Sequence, residues 1–310
     1  MIIVFGSMHI RIPLSVEEFA QQGTVAIANY VEPYPGGKGA NQALAAARAG
    51  ASGNVTLVGQ TGDDEFSVTL LNSLRREGVT TSGVTKNDLP TGLKIFIEDG
   101  KNNPQVYFAP AANTRASADQ VPDEVLSDDV FILIQTEITP DANGDLLEKA
   151  KNAGATTIMN LSPSVDIKQK TLDNLDYLIV NREEASALAS KLNFNADDVQ
   201  KMAEGFARLG NLNCIITQGA QGAVACSADG EIWSVEALPI AELVDRSGAE
   251  DSYCGAFVAA LYGGLTLPDA MKQASIAASL TCTKSGTSNI FPTKEDIEDQ
   301  TGNLASAVKL

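Results

Sequence analysis

The carboxylate of Asp251 is the clearest candidate for acid–base chemistry in this sequence, because it stands at the start of a long apolar run. Gly248, Ala249, Glu250 and Asp251 precede Ser-Tyr-Cys-Gly-Ala-Phe, which is typical of a buried helix. A helix start leaves backbone N–H groups free, so these residues would form a pocket for an anion. A carboxylate there can accept a proton from an alcohol while the amides stabilise a transferring phosphoryl group. The alternative is an exposed acid that only favours the helix dipole.

A glycine-rich segment, Gly36-Gly-Lys-Gly-Ala-Asn-Gln42, precedes an alanine-rich run and is a second candidate. Gly37 and its neighbours let the backbone approach a ligand closely, and a helix start after them supplies N–H donors. Lys38 and Asn41 add polar groups at the same point. The spacing of a P-loop is absent. A tight strand-to-helix turn alone would explain the glycines but not Lys38 together with Asn41.

Composition narrows the classes of function. Lys and Arg total 22 against 39 Asp and Glu, a net charge of −17, which disfavours binding to nucleic acid or to anionic membranes. A phosphate-bearing ligand would therefore need local donors. The only histidine, His9, would have to carry any Ser-His-Asp triad or multi-histidine metal site, so carboxylates are expected to transfer protons.

Cysteine usage and the apolar segments indicate a cytoplasmic protein. Cys214, Cys226, Cys254 and Cys282 are scattered among small or apolar neighbours, which favours buried free thiols over disulfides or zinc. The first apolar run ends after five residues and is typical of a strand rather than a signal peptide. No stretch approaches the length of a membrane span.

Short β-branched runs alternate with helical patterns along the chain, which predicts βαβ units in one α/β domain over residues 1–310. The fold class that follows is a three-layer α/β/α sandwich around a mainly parallel sheet. The predicted strands are Ile2–Phe5, Thr56–Gly59, Val130–Ile134, Thr157–Asn160, Tyr177–Val180, Cys214–Thr217 and Ala223–Ser227, and the predicted helices are Gly39–Ala49, Asp64–Glu77, Asp141–Ala153, Arg182–Ser190, Ala196–Leu209 and Asp251–Tyr262.

Residues 11–34 and about 91–110 lack a helical period. The second region predicts a hairpin, Leu93–Glu98 and Gln105–Ala109, with a turn over residues 99–103. Strands without helix partners in an α/β domain suggest a small β-sheet lid beside a ligand crevice. The alternative is a hairpin at a dimer edge.

Together, the segments 36–42 and 245–251 resemble the two signature motifs of the ribokinase-like (PfkB) carbohydrate kinases, in the form usual in ribokinases. The resemblance covers essentially the whole chain. Further segments that resemble family landmarks are Thr61-Gly-Asp-Asp64, Gln135-Thr-Glu137, Asn160-Leu-Ser-Pro163, Asn181-Arg-Glu-Glu184 and Thr217-Gln-Gly-Ala-Gln-Gly222.

The resemblance implies an ATP-dependent kinase acting on a primary hydroxyl of a sugar or sugar-like molecule, with Asp251 as general base. It implies that Mg²⁺ accompanies ATP and that K⁺ can occupy a monovalent-cation site; lid-to-lid homodimers are common in the family. By motif match, the acceptor would contact Gly37, Lys38, Asn41, Glu137, Arg11 and His9; nucleotide would contact Asn181, Thr217, Gly219 and Gly222; Mg²⁺ would contact Asn181 and Glu184; and the monovalent cation would contact Asp245, Ser247 and Gly286.

Three departures from the family pattern stand at or beside these positions, of which the mildest is Arg246 where Thr is common. Ribokinases usually carry Asn and Asp where this chain has His9 and Arg11, so an acceptor of sugar hydroxyls has become a cation that favours a carboxylate or phosphate. The alternative is that Arg11 neutralises Glu137 or Glu250. Glu250 replaces a usual glycine. A carboxylate about 4 Å from the γ-phosphate would cost roughly 4 kcal/mol, equivalent to about a thousandfold in rate, unless it points away from the anion pocket or pairs with Arg246 or Arg11.

These departures leave a second hypothesis open, a catalytically weakened relative that binds nucleotide or metabolite for a regulatory role. A third hypothesis, a binding module without nucleotide, is disfavoured because Asp251, Asn181, Glu184 and Gly248 all persist.

Overall fold

A computed structural model describes residues 1–30, 32–101, 104–192, 194, 198–286 and 288–310. Within these ranges the strands are β1 (Ile2–Phe5), β2 (His9–Val16), β3 (Ala28–Tyr30), β4 (Tyr34–Gly36), β5 (Val55–Gly62), β6 (Val79–Asn87), β7 (Gly92–Glu98), β8 (Gln105–Ala109), β9 (Phe131–Gln135), β10 (Thr156–Asn160), β11 (Tyr177–Asn181), β12 (Asn213–Thr217), β13 (Ala223–Cys226), β14 (Ile232–Val235) and β15 (Val308–Lys309). The helices are α1 (Lys38–Ala46), α2 (Glu65–Arg76), α3 (Pro140–Asn152), α4 (Gln169–Asp173), α5 (Arg182–Lys191), α6 (Val199–Gly210), α7 (Ala249–Tyr262), α8 (Leu267–Thr281) and α9 (Lys294–Gln300).

A ten-stranded sheet has the order β15-β14-β13-β12-β11-β10-β9-β1-β5-β6. The strands from β12 to β6 pair in parallel, whereas β13, β14 and β15 pair antiparallel at one edge. Parallel pairing requires crossover connections, which explains why helices alternate with these strands along the chain.

Helices cover both faces of this sheet, as the side chains of β1 show. Ile2 and Val4 belong to a hydrophobic cluster with apolar residues of α1, α2, α7 and α8. Ile3 and Phe5 point to the other face and belong to a cluster with α3, α5 and α6. All four side chains are almost fully buried. The predicted α/β/α sandwich with a mainly parallel sheet is confirmed.

Polar residues replace apolar ones where the parallel strands end. Gln135, Asn160, Asn181 and Thr217 are the last residues of β9, β10, β11 and β12. Asn160 pairs in register with Gln135, and Asn181 pairs with Thr217. Ligands of open α/β sheets bind at this carboxyl edge, so these neighbouring polar ends mark the edge at which a site is expected.

A second, five-stranded sheet contains β3-β2-β7-β8, with β4 paired to β2. The hairpin expected over 93–109 is present as β7 and β8, although residues 102 and 103 of its turn lie outside the described residues. The first of the two regions without a helical period was predicted over residues 11–34. The strands there cover a longer region, because β2 begins at His9, which pairs with Gly36 of β4. The sheet therefore starts two residues earlier, at positions that carry candidate site residues.

The four cysteines are free, as expected, but Cys282 is only half-buried, whereas the other three are buried. Burial raises the pKa of the Cys214 thiol. Among the helices of the described ranges, none is long and apolar enough to cross a membrane.

Candidate active site

Asp251 lies in the first turn of α7 and is 7% exposed as a whole residue, so the alternative of an exposed helix acid is wrong. Gly248 caps the helix at φ 80°, a left-handed conformation that favours glycine. Two side-chain amides donate to the carboxylate: Asn41 Nδ2 to Oδ2 at 2.8 Å and Gln42 Nε2 to Oδ1 at 3.0 Å. Burial raises the pKa of Asp251, although the Lys38 ammonium and the two amides oppose the rise.

Helix α1 brings Lys38, Asn41 and Gln42 to this carboxylate because it begins against the end of β1. A Cβ at Gly39 would lie 2.6 Å from the backbone carbonyl carbon of Gly6, so only glycine permits this approach. Gly37 precedes the helix at φ 110°, which again favours glycine. The glycines of the segment therefore set the position of the polar side chains beside them.

The Lys38 ammonium faces two carboxylates. Its Nζ lies 3.6 Å from Glu250 Oε1 and 4.0 Å from Asp251 Oδ1. Burial alone would lower the pKa of Lys38, but Asp251 and Glu250 raise it above its ordinary value. Lys38 is therefore a permanent cation between these two acids at neutral pH.

Glu250 does not pair with Arg246 or Arg11, the partners expected from the sequence. Its Oε1 accepts a hydrogen bond from Asn160 Nδ2 at 2.8 Å and lies beside Lys38. At an effective dielectric near 20, a separation of 3.6 Å corresponds to an attraction of about 4–5 kcal/mol. This matches the roughly 4 kcal/mol of repulsion expected between Glu250 and a phosphate oxygen. The positive charge of Lys38 thus offsets the repulsion that Glu250 would exert on an anion.

Gln42 and Asn160 belong to the site but were not among the residues predicted to act there. Gln135 Nε2 donates to Gln42 Oε1 at 2.8 Å, and Gln42 Nε2 is shared between Asn160 Oδ1 and Asp251 Oδ1, each at 3.0 Å. This amide chain runs from the end of β9 to α7. The sequence feature that could have identified Gln42 as a site residue is its large polar side chain inside an alanine-rich helix.

Glu137 follows β9 and is buried beneath the second sheet. It accepts hydrogen bonds from Ser7 Oγ at 2.5 Å and the Lys38 amide at 3.0 Å, and Lys94 Nζ of β7 lies 3.0 Å from its Oε1. Although burial opposes ionisation, protonated His9, Lys94 and these hydrogen bonds lower the pKa of Glu137 to about 2. Lys94 carried no motif signal in the sequence, because only the pairing of β2 with β7 brings it here.

His9 Nδ1 lies 3.9 Å from Glu137 Oε2, but this contact is not an ion pair at neutral pH. Burial lowers the pKa of His9 to about 4; Glu137 opposes the shift, whereas Lys94 and Arg11 add to it. A neutral imidazole keeps one donor and one acceptor nitrogen. His9 can therefore hydrogen-bond a neutral polar group.

Arg11 lies on the same face of β2 as His9, with its guanidinium carbon 4.1 Å from the ring centre of Phe96 and 5.4 Å from that of Tyr34. Within the described residues it forms no salt bridge, so the expectation that it neutralises Glu137 or Glu250 is wrong. Arg11, Asn41 and Gly248 line one cleft. The cleft connects the guanidinium to the residues around the N-terminus of α7.

Asn181 and Glu184 form a reciprocal cap at the start of α5: Glu184 N donates to Asn181 Oδ1 and Asn181 N donates to Glu184 Oε2, both at 2.9 Å. Burial and the nearby Glu250 raise the pKa of Glu184. A cation would stabilise its ionised form, and amide and carboxylate oxygens suit Mg²⁺. The described part of the chain holds no cluster of three or more His, Cys, Asp or Glu arranged for a metal. Asn181 and Glu184 offer one amide oxygen and one carboxylate. This pair fits Mg²⁺ that is held by one or two carboxylates plus substrate phosphates.

The loop after β12 carries the three residues matched to nucleotide. Thr217 lies beside Asn181 at the sheet edge. Gly219 has φ 58° and open space at its Cβ position. Gly222 has φ 84°, and a Cβ there would lie 2.0 Å from the Val235 carbonyl oxygen, so close packing also requires this glycine.

The three residues matched to a monovalent cation lie near α7. Ser247 N donates to Asp245 Oδ1 at 2.8 Å, which closes a tight turn before the helix. Ser247 and Gly286 line the same cleft as Gly248. The structure thus brings Ser247 and Gly286 together, while the Asp245 carboxylate is engaged by the turn.

Comparison with known proteins gives a consistent result over nearly the whole chain. The profile of the pfkB family carbohydrate kinases matches residues 1–294. The chain is 32% identical over 304 residues to the ribokinase of Bacillus subtilis (strain 168), covering 96% of this chain and 98% of that protein. It is similar to the solved ribokinase of Thermotoga maritima (TM-score 0.89, 29% identity, 98% of this chain and 99% of that chain). It is also similar to the ribokinase of Cryptococcus neoformans var. grubii serotype A in complex with ADP (TM-score 0.82, 25% identity, 96% and 99%).

Proposed function

The chain belongs to the pfkB family of carbohydrate kinases, and from this premise we propose that it transfers a phosphoryl group from ATP to a primary hydroxyl of a sugar or sugar-like molecule. The observation that carries the proposal is the buried Asp251 carboxylate at the N-terminus of α7, held by the amides of Asn41 and Gln42. The names of the similar proteins, which are ribokinases, one of them solved with ADP, support the same reaction class.

In the proposed reaction, Asp251 is the general base. The acceptor hydroxyl gives its proton to the Asp251 carboxylate, its oxygen bonds to the γ-phosphorus of ATP, and the bond from that phosphorus to the bridging oxygen of ADP breaks. The raised pKa of Asp251 makes it a stronger base than an exposed aspartate. Asn41 and Gln42 hold the carboxylate in one orientation, which lowers the entropic cost of the step.

The transferring phosphoryl group would lie at the start of α7. Its developing charge would be stabilised by the backbone amides of Gly248, Glu250 and Asp251 at the start of the helix, whereas the Ala249 amide donates to the Arg246 carbonyl oxygen at 3.2 Å. The Lys38 ammonium adds a positive charge at the same place, and this charge offsets the negative charge of Glu250. Gly37 permits the close approach of backbone and acceptor.

Asn181 and Glu184 would hold Mg²⁺ near the ATP phosphates, where the ion would neutralise part of their charge. Thr217, Gly219 and Gly222 would contact the nucleotide from the loop beside Asn181. The support for these roles is that Asn181 and Thr217 end the neighbouring strands β11 and β12 at the carboxyl edge of the sheet. In addition, Asn181 and Glu184 would bind the ion through oxygen atoms.

The Asp245–Ser247 turn with Gly286 is proposed as a monovalent-cation site that favours K⁺. An ion there would tighten the turn that precedes the anion pocket, so K⁺ should raise kcat relative to choline of equal ionic strength. An identical rate in the two salts would refute this role.

Several further features belong to the proposal. Residues 1–310 act as one domain, with the second sheet (about 11–34 and 91–110) as a lid over the acceptor; contacts of Lys94 and His9 with Glu137 support this. A homodimer through that sheet fits its exposed outer edge at β8. A cytoplasmic location fits the free thiols.

The regulatory alternative rested on the coincidence of Arg11 and Glu250. Asn160 and Lys38 account for Glu250, and Arg11 is compatible with turnover of an anionic acceptor, so no observation favours a weakened protein over a kinase.

The test is release of ADP from Mg·ATP with a panel of pentoses, hexoses, nucleosides and sugar acids. We expect turnover with at least one acceptor. No turnover with any of them, while calorimetry shows that ATP binds, would reject the proposal.

A further inference from the structure

The face of the second sheet that looks toward Glu137 carries cations and aromatic rings instead of hydroxyl-binding carboxylates. Arg11 pairs in register with Tyr34 on one side and with Lys94 on the other, so these side chains share a face. His9 lies two residues before Arg11 on β2, and the centre of its ring lies 5.2 Å from the centre of the Phe108 ring. This face would be the roof of the acceptor pocket.

The charge of Arg11 has no counter-ion within the described residues. The two carboxylates expected from the sequence to neutralise it are engaged elsewhere, Glu137 by Lys94 and Glu250 by Lys38. The Arg11 Nε is buried and makes no hydrogen bond to the part of the chain that the structure describes. The rings of Phe96 and Tyr34 stabilise the cation, but they offer no acceptor for its N–H groups. An anionic group would supply one.

Packing aims Arg11 into the cleft. A Cβ at Gly36 would lie 2.9 Å from Arg11 Cγ and 3.4 Å from His9 Nε2, so both side chains pass over the glycine backbone. Arg11 then shares the cleft with Asn41, which donates to Asp251. Asp251 itself is not among the lining residues, so Asn41 is the side chain that connects this cleft to the base.

The sign and size of the local charge select the kind of anion. Arg11 and Lys94 carry two positive charges, Glu137 carries one negative charge, and His9 is neutral at pH 7. The cluster has a net charge of +1, which matches a carboxylate, whereas a phosphate carries nearly two negative charges. The buried Nδ1 of His9 also lacks a hydrogen-bond partner within the described residues, and the neutral imidazole adds no charge to the cluster.

We infer that the acceptor is a sugar acid, a small polyhydroxy carboxylate whose carboxylate binds the Arg11 guanidinium and whose primary hydroxyl lies at Asp251. This inference rests on the proposed kinase function. Arg11 is then the residue that determines specificity, since a guanidinium recognises a planar carboxylate through two parallel hydrogen bonds.

The first experiment compares the wild-type protein with Arg11→Gln, using Arg76→Gln as the matched control because Arg76 is exposed on α2. Ribonate and gluconate are tested against ribose, both for ADP release and for binding by calorimetry without ATP. We expect Arg11→Gln to lower kcat/KM and affinity for the sugar acids by about 10- to 100-fold. Ribose should change much less, and Arg76→Gln should change neither.

The second experiment reverses the preference. The double variant His9→Asn/Arg11→Asp restores the residue types usual in ribokinases and should favour ribose over ribonate. Its gain of ribose turnover would also show that it folds.

The outcomes separate the two hypotheses. A wild-type protein that phosphorylates ribose better than every sugar acid, with Arg11→Gln equally active on both, overturns the inference and leaves the kinase function intact. A preference for ribose 5-phosphate over ribonate overturns the choice of carboxylate. Sugar acids that bind through Arg11 without any ADP release from any acceptor would reject the kinase function and keep the binding site.

Discussion

The protonation of His9 makes a quantitative prediction about stability. His9 is 2% exposed, and its pKa falls from 6.5 to about 4 on folding because burial disfavours the imidazolium. Well above pH 6.5 the ring is neutral in both states and contributes nothing. Between pH 6.5 and about 4 the unfolded chain binds a proton that the folded chain does not, so stability falls as pH falls. The loss is about 2 kcal/mol at pH 5 and approaches about 3 kcal/mol at lower pH.

The assay is urea unfolding at pH 7.5 and pH 5.0 for the wild-type protein and His9→Asn. We expect the difference in free energy of unfolding between the two pH values to be about 2 kcal/mol smaller in the variant. Because the chain has a single histidine, NMR titration of the imidazole gives its pKa without an assignment problem. An imidazole that titrates near or above 6.5 would mean that the Glu137 contact outweighs burial and would refute the reasoning.

Two further predictions concern the site around α7. Glu250 raises the pKa of Asp251, so Glu250→Gln, which keeps an acceptor for Asn160, should move the acid limb of the kcat–pH profile to lower pH; an unmoved limb would contradict this. Gly39→Ala should lower the free energy of unfolding by roughly 1–3 kcal/mol and reduce activity, because its Cβ would meet the backbone of Gly6. The control is Gly144→Ala in α3, which meets nothing within 4 Å and should be neutral or stabilising by about 0.5–1 kcal/mol; equal destabilisation of both variants would argue against the packing explanation.

Much of the fold could be predicted because the buried parallel strands are short, continuous and apolar. Ile2–Phe5 and the hairpin strand Gln105–Ala109 have the predicted bounds. The strand β6 (Val79–Asn87) was missed, because it lies at the sheet edge and is mostly polar. The helix α8 (Leu267–Thr281) was missed in a part of the chain where no elements were assigned. The fifth predicted helix begins at Val199, and its first expected residues, 196 and 197, lie outside the described residues.

The site was predictable where its residues are close in sequence to a helix start. Asp251 and Lys38 followed from such local patterns. Lys94 could not be found in this way, because it reaches Glu137 only through the parallel pairing of β2 with β7. The partners of Glu250 were wrong for a similar reason: Asn160 ends a strand 90 residues away, and only the order of strands in the sheet brings the two together.

The most direct measurement of the central claim is the rate of ADP release by Asp251→Asn with the best acceptor of the wild-type protein. The substitution keeps the size of the side chain and an oxygen for the Asn41 amide, but it removes the base. We predict a fall in kcat of about 10²- to 10⁴-fold with ATP binding retained. A kcat within tenfold of the wild-type value would contradict the account.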